Sequence, residues 1–256
     1  MTPPLRRLEG RVGVVTGAGR GLGREVSRAL AAEGMRLLVL ARTGTEVRAL
    51  ADELEAGYDV AVLTAAVDVR DAEAVERVVA HVEQRLGPVD LLVNAAARIE
   101  RTELPFWQAD PAELWDVVET NLRGPLLFTR ALLPQMVARR HGHVVNLAST
   151  ARAATRTGTY SGYAVSKRAL TVLTEVLAAS LAGTGVVVLD VLPGLVRTSM
   201  TSGMPVWRDV PDDGWDPASA TTETVVEVAL GRYDTAAGTV LDAPALARVR
   251  ASERSP

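Results

Sequence analysis

Short apolar runs alternate with longer stretches of helical period from the start of the chain to about residue 241. This alternation limits the possible fold more than any other feature. The runs expected as strands are Val12 to Thr16, Arg36 to Ala41, Val60 to Val67, Val89 to Val93, His143 to Ala148, Val186 to Leu192 and Gly238 to Leu241. Their apolar content predicts burial on both faces, as in a parallel sheet covered by helices. Between them, Val75, Val78, Val79, Val82 and Leu86 recur at the spacing of one helix face, and Leu170, Leu173, Leu177 and Leu181 do the same. No internal repeat, low-complexity tract or linker interrupts the pattern. The expected class is therefore α/β, a doubly wound parallel sheet in a single domain over residues 1–256. Only Met200 to Ala220, rich in Pro, Asp and Trp, breaks the alternation. It reads as a surface loop for substrate, about 200–220, ahead of a short helix near Thr222 to Leu230.

Composition narrows the partners. A formal net charge of −3 gives no global attraction to nucleic acid or to an anionic membrane, so small molecules are expected instead. There is no cysteine, which excludes disulfides, thiolate catalysis and cysteine metal sites and leaves no mark of an oxidising compartment. After Leu5 the sequence turns polar without the apolar stretch of a signal peptide or membrane span. The expected location is the cytoplasm.

Thr16-Gly17-Ala18-Gly19-Arg20-Gly21-Leu22-Gly23 follows the first strand and opens a helical stretch. Residues without Cβ permit a tight turn and close approach, and a helix N-terminus offers free N–H groups to phosphates, so a dinucleotide pyrophosphate is expected here. The spacing Gly-x-x-x-Gly-x-Gly differs from the general Gly-x-Gly-x-x-Gly fingerprint, and a plain glycine turn is the alternative.

Tyr163 and Lys167 stand four apart at the start of a helical stretch and so share a face. Lys167 is the only lysine of the chain, and it follows one of four tyrosines. A cation beside a phenol favours the phenolate, so Lys167 is expected to hold the Tyr163 hydroxyl below its ordinary range and make it a usable acid/base.

Taken together, these residues closely resemble the short-chain dehydrogenases/reductases over nearly the whole chain and in motif order. The glycine segment is similar to that family's Thr-Gly-x-x-x-Gly-x-Gly loop, with Gly17, Gly19, Arg20, Gly21, Leu22 and Gly23 as cofactor contacts. Asp68-Val69 resembles the pair that meets the adenine. Asn121 in Glu119-Thr120-Asn121-Leu122, Ser149 in Asn146-Leu147-Ala148-Ser149, and Tyr163 with Lys167 resemble the catalytic tetrad. Pro193, Gly194, Val196 and Thr198 resemble the segment over the nicotinamide. The resemblance implies that Tyr163 exchanges a proton with the substrate oxygen. Lys167 would lower its pKa and hold the ribose, Ser149 would polarise the carbonyl, and Asn121 would fix a water. It also implies a carbonyl or alcohol substrate and a homodimer or homotetramer.

The departures are as informative. The family's Asn-Asn-Ala-Gly is here Asn94-Ala95-Ala96-Ala97, which loses an amide and adds a methyl near the cofactor path; Asn94, Ala95 and Ala96 remain expected cofactor contacts. Thr150 could replace Ser149, and Leu241-Asp242-Ala243-Pro244 lacks the family's Asp-Gly-Gly, which puts family-style oligomer contacts there in question. His141 and His143 have no third ligand and read as surface polar residues, so no metal is expected. Arg152 and Arg156 read as solvated loop charges or an anion contact. Trp207 and Trp215 could belong to a lid or pack on the domain edge.

The second strand ends Leu38-Val39-Leu40-Ala41-Arg42-Thr43, with no acid until Glu46. An acid there would accept a ribose 2′-hydroxyl and repel a 2′-phosphate, so NADP(H) is expected over NAD(H), with Arg42 and Arg20 at the phosphate. The expected activity is NADPH-dependent carbonyl reduction. NAD-dependent alcohol oxidation and a catalytically silent dinucleotide sensor are the alternatives.

Overall fold

The computed structural model describes residues 6–254; residues 1–5, on which part of the reading of the N-terminus falls, lie outside the described residues. Among the described residues the apolar runs form β1 (Val12–Thr16), β2 (Arg36–Ala41), β3 (Val62–Ala66), β4 (Leu91–Asn94), β5 (Gly142–Leu147), β6 (Val186–Leu192) and β7 (Val240–Asp242). The helices are α1 (Gly21–Ala32), α2 (Gly44–Tyr58), α3 (Ala72–Leu86), α4 (Pro111–Val118), α5 (Gly124–Arg139), α6 (Arg152–Thr157), α7 (Ser161–Ser180), α8 (Ala218–Ala229) and α9 (Ala243–Arg254). The strands lie in the order β3-β2-β1-β4-β5-β6-β7, every neighbouring pair parallel. This is the doubly wound single-domain sheet that the alternation predicts, and its order reverses between β1 and β4. Open α/β sheets bind ligands at such a switch point, beyond the carboxyl ends of the strands.

Side-chain alternation along each strand divides the core between the two faces. Val15, Leu37, Val39, Leu91, Val93, Val145, Leu189 and Val191 pack on one side with Val26 and Leu30 of α1 and Val225 and Val226 of α8. Val12, Val14, Leu38, Leu40, Leu92, Val144, Val186 and Val188 pack on the other with α3 and α5. The expected face of α3 is the buried one, Val75, Val78, Val79, Val82 and Leu86. Along α7 the expected stripe divides. Leu170 and Leu181 are buried, whereas Leu173 and Leu177 line a surface groove with Leu126, Leu133 and Val137 of α5. The third strand is shorter than its apolar run because it is an edge, paired only with β2. The helix expected near Thr222 to Leu230 begins earlier, at Ala218. No helix among the described residues is long and apolar enough to cross a membrane.

Candidate active site

The cleft at the switch point begins with the glycine loop. The Thr16 hydroxyl accepts the backbone N–H groups of Ala95 and Ala96, both at 3.1 Å, so it fixes the turn whose sequence departs from the family pattern. Gly17 has φ +65°, and a Cβ on it would stand 2.6 Å from the Ala96 Cα. Its lack of a side chain lets the loop lie tightly against the end of β4. Beyond it, α1 starts with no side-chain cap and no acid in its first turn, while α3 and α4 are capped by Asp71 and Asp110. Uncapped N–H groups at a positive helix end, opening into a cleft, suit a pyrophosphate.

Most of the expected cofactor contacts line this cleft: Gly17, Gly19, Arg20, Gly21, Leu22, Gly23, Arg42, Asp68, Val69, Ala95, Ala96, Tyr163, Lys167, Pro193 and Thr198. Three stand behind it. Asn94 is buried and donates to the Asn146 Oδ1 at 2.8 Å. Gly194 packs where a Cβ would meet the Asp216 carboxylate and Pro244. Val196 is buried and bridges to Asp216. The cleft also takes in residues that sequence reasoning left out, among them Thr43, Glu46, Arg98, Leu147, Ser199 and Met200. Glu46 stands so close that a Cβ on Gly19 would lie 2.5 Å from its Oε2, and its position one turn past Arg42 was the available signal. Asp68 does not face the cleft free. Arg70 donates to its carboxylate at 2.7 to 3.2 Å and holds it below the usual carboxylate range. Arg70 also pairs with Asp116, which pairs with Arg98.

At the other end of the cleft Ser149 stands near enough to the Tyr163 hydroxyl to pull its pKa down. Ser149 also accepts the Ala151 N–H at 3.0 Å, while Thr150 is exposed. Lys167 is buried, donates to the Leu147 carbonyl at 2.7 Å, and lies 5.9 Å from the centre of the Tyr163 ring. The structure reverses the expectation for the tyrosine. Burial pushes the Tyr163 hydroxyl above its ordinary range, against the lowering pull of Ser149, and Glu100 adds to the rise. Burial likewise pushes Lys167 down to about 8, with the Asp190 charge opposing it. The lysine meets a main-chain carbonyl rather than the phenol, so desolvation governs both groups.

Asn121 lies in a widened, π-type turn between α4 and α5 (Glu119–Arg123) and is fully buried. Its Oδ1 accepts Arg98 N–H at 2.7 Å, and its Nδ2 donates to the Arg98 carbonyl at 2.9 Å and to the Ser166 Oγ at 3.0 Å. The side chain thus ties the loop after β4 to the first turns of α7. Glu100, another residue with no motif of its own, accepts Gly162 N–H at 2.7 Å and Tyr163 N–H at 3.4 Å. It acts as the cap that α7 lacks, since Tyr160 at the cap position has φ 55° and no capping side chain.

The 200–220 loop divides its two tryptophans. Trp207 packs with Ile99, Tyr163, Ala164 and Val206 against buried Tyr160, Met204 and Ala154. Trp215 stacks on Arg197, 4.8 Å from the ring centre, and Arg197 pairs with Asp212 at 2.6 Å. Arg156 is exposed, and the Arg152 side chain lies outside the described residues. His143 corrects the surface reading of the histidine pair: it is buried in β5, 2.8 Å from Asp234.

With this geometry in view, comparisons agree on a family. A model for short chain dehydrogenases matches residues 11–209. A short chain dehydrogenase of Pseudocercospora fijiensis is 36% identical over 220 residues, which cover 83% of this chain and 66% of that protein, so the chain spans about two thirds of that relative's length. A protein described as a ketoacyl reductase of Streptomyces coelicolor is 38% identical over 236 residues, 88% of this chain and 85% of that one. Among solved structures, a protein of Sinorhizobium meliloti described as a short-chain alcohol dehydrogenase superposes with a TM-score of 0.82 at 29% identity, covering 94% and 97% of the two chains. A levodione reductase does so with a TM-score of 0.83 at 27% identity, covering 92% and 96%.

Proposed function

We propose a specific activity for a chain that belongs to the short-chain dehydrogenase/reductase family: NADPH-dependent reduction of a ketone to an alcohol. The observation that carries the direction is the Tyr163 hydroxyl, which burial keeps protonated while Ser149 stands beside it. A phenol that holds its proton at neutral pH is suited to donate it. Similar proteins named for ketoacyl and levodione reduction support a carbonyl substrate.

When bound, the nicotinamide supplies the hydride. Ser149 orients the substrate carbonyl beside Tyr163, whose proton goes to the oxygen as alkoxide character develops, where a placed donor stabilises the transition state most. The buried Lys167 ammonium favours the phenolate that remains. Asn121 and Glu100 hold the first turns of α7, and with them Tyr163, in place. The apolar group of Ile99, Val206 and Trp207 beside Tyr163 favours an apolar substrate body.

The cofactor preference rests on Arg42 and Arg20, which line the cleft where β2 ends without an acid. One observation favours the second reading, NAD-dependent alcohol oxidation: the Glu46 carboxylate stands at the same end, against Gly19. Screening ketones and alcohols with the four nicotinamide forms, read by cofactor fluorescence, separates the two. Absence of turnover with intact cofactor binding would instead point to a silent sensor. We also propose cytoplasmic location and self-association through the α5 and α7 face, where Leu126, Val137, Val165, Val172 and Val176 are exposed; light scattering that gives a monomer mass would refute the latter.

A further inference from the structure

Thr16, Asn94, Asn146 and Asp190 occupy one register across β1, β4, β5 and β6, and they form a polar row inside an otherwise apolar sheet. Hydrogen bonds run along the row toward its last member. Asn94 donates to Asn146 at 2.8 Å, Asn146 donates to the Thr174 hydroxyl at 2.8 Å, and Thr174 donates to Asp190 Oδ1 at 2.6 Å. From the other side Thr171 donates to Asp190 Oδ2 at 2.7 Å. Asp190 is fully buried and, among the described residues, meets no cation by hydrogen bond or ion pair. An uncompensated buried carboxylate is expensive, because two neutral hydroxyls replace only part of its hydration. The compensating charge stands on the same helix face: Thr171 is four residues beyond Lys167, whose buried ammonium is the only lysine charge of the chain.

We propose that Asp190 is a positioning residue for the Tyr163 and Lys167 pair: its carboxylate latches α7 to the sheet through Thr171 and Thr174 and serves as the buried counter-charge that keeps Lys167 an ammonium. This deepens the reductase reading and rests on it for the use of the cation, although the pairing of charges stands apart from catalysis. The Asp190 charge raises the proton affinity of Lys167 against burial. Of the other groups around that ammonium, Tyr163 on its own helix is protonated, and β5 offers the Leu147 carbonyl. Glu100, from the loop after β4, is engaged with the start of α7. Asp116 of α4 is paired with Arg70 and Arg98, and Glu119 of the π-type turn with Arg123. Asp190 is thus the buried charge left to balance Lys167.

The single lysine makes a direct test possible. Protein labelled with 13C at lysine Cε gives one side-chain resonance, whose titration reports Lys167 without cofactor or substrate. Asp190→Asn and Asp190→Ser, both uncharged and able to hydrogen-bond the threonines, are each expected to weaken Lys167 proton binding at least tenfold and to move the alkaline loss of kcat/KM to lower pH. A resonance that titrates as in wild type in either folded variant overturns the proposal, whether or not the protein proves to be a reductase. Should both variants fail to fold, a stability cycle decides. Asp190→Asn, which fails alone, is expected to fold when Lys167→Met is added to it; no recovery would equally overturn the pairing.

Discussion

The Lys167 ammonium donates to the main-chain carbonyl of Leu147 at 2.7 Å and leaves the Tyr163 ring 5.9 Å away. The pair therefore communicates through space rather than through a shared hydrogen bond. Lys167 favours the phenolate only as it forms, while burial keeps the resting phenol protonated.

Tyr163→Phe is expected to remove at least nine tenths of kcat/KM, a loss above about 1.4 kcal/mol, and to leave dinucleotide affinity nearly unchanged. The deleted hydroxyl acts on substrate, so the two readouts divide. Lys167→Ala should lower both. A Phe variant with more than a tenth of wild-type kcat/KM would exclude Tyr163 as the proton donor.

The alkaline limb of ketone reduction is expected near pH 8, where Lys167 loses its proton. Its folded value lies below the ordinary 10.5, so between about 8 and 10.5 the unfolded chain binds more protons than the folded one. By linkage this group makes the fold progressively more stable as pH rises through that window, and opposes folding below it. Activity and stability should therefore move in opposite directions over the same interval. Rate profiles beside thermal melts of wild type and Lys167→Met measure both, and an alkaline limb at pH 10 or above would contradict the assignment.

Gly17→Val should damage the fold as well as the site. The position has φ +65°, and an added side chain would meet the Ala95 and Ala96 backbone. A strained, overpacked loop costs on the order of 1–3 kcal/mol. Calorimetry should show weakened dinucleotide binding together with a lower Tm, and a variant with wild-type Tm would contradict the packing role of Gly17.

Wild type is expected to prefer NADPH to NADH by more than tenfold in kcat/KM, since one charged hydrogen bond to a 2′-phosphate contributes about 1.5–3 kcal/mol. Arg42→Ala should erase the preference and Glu46→Gln should widen it. Equal kinetics with the two cofactors, or an NADH preference, would favour the second reading of the site.

The sheet is legible in the sequence because its signals are local: β1, β2 and β6 match their apolar runs residue for residue, and the glycine loop lies directly between β1 and α1. The parts that are not legible join distant segments. Glu100 caps a helix 62 residues further on, Arg70 reaches Asp116 across 46 residues, and no local pattern links either pair. The direction of the Tyr163 shift belongs to the same class. Spacing puts a lysine beside a tyrosine, but only the packed structure shows how much water both have lost, and that loss decides the sign. His143 reads as a surface residue because it stands at a strand start among polar neighbours, whereas it is buried in the sheet and paired with Asp234 from a distant turn.

The uncapped start of α1 is, in effect, an unfinished helix that awaits a ligand to complete it. A dinucleotide that binds the folded chain alone adds about 2.7 kcal/mol to its stability at a hundredfold excess over Kd. Inside a cell, the loaded form would then escape proteases for longer than the empty one. The abundance of the protein would track the supply of its nucleotide.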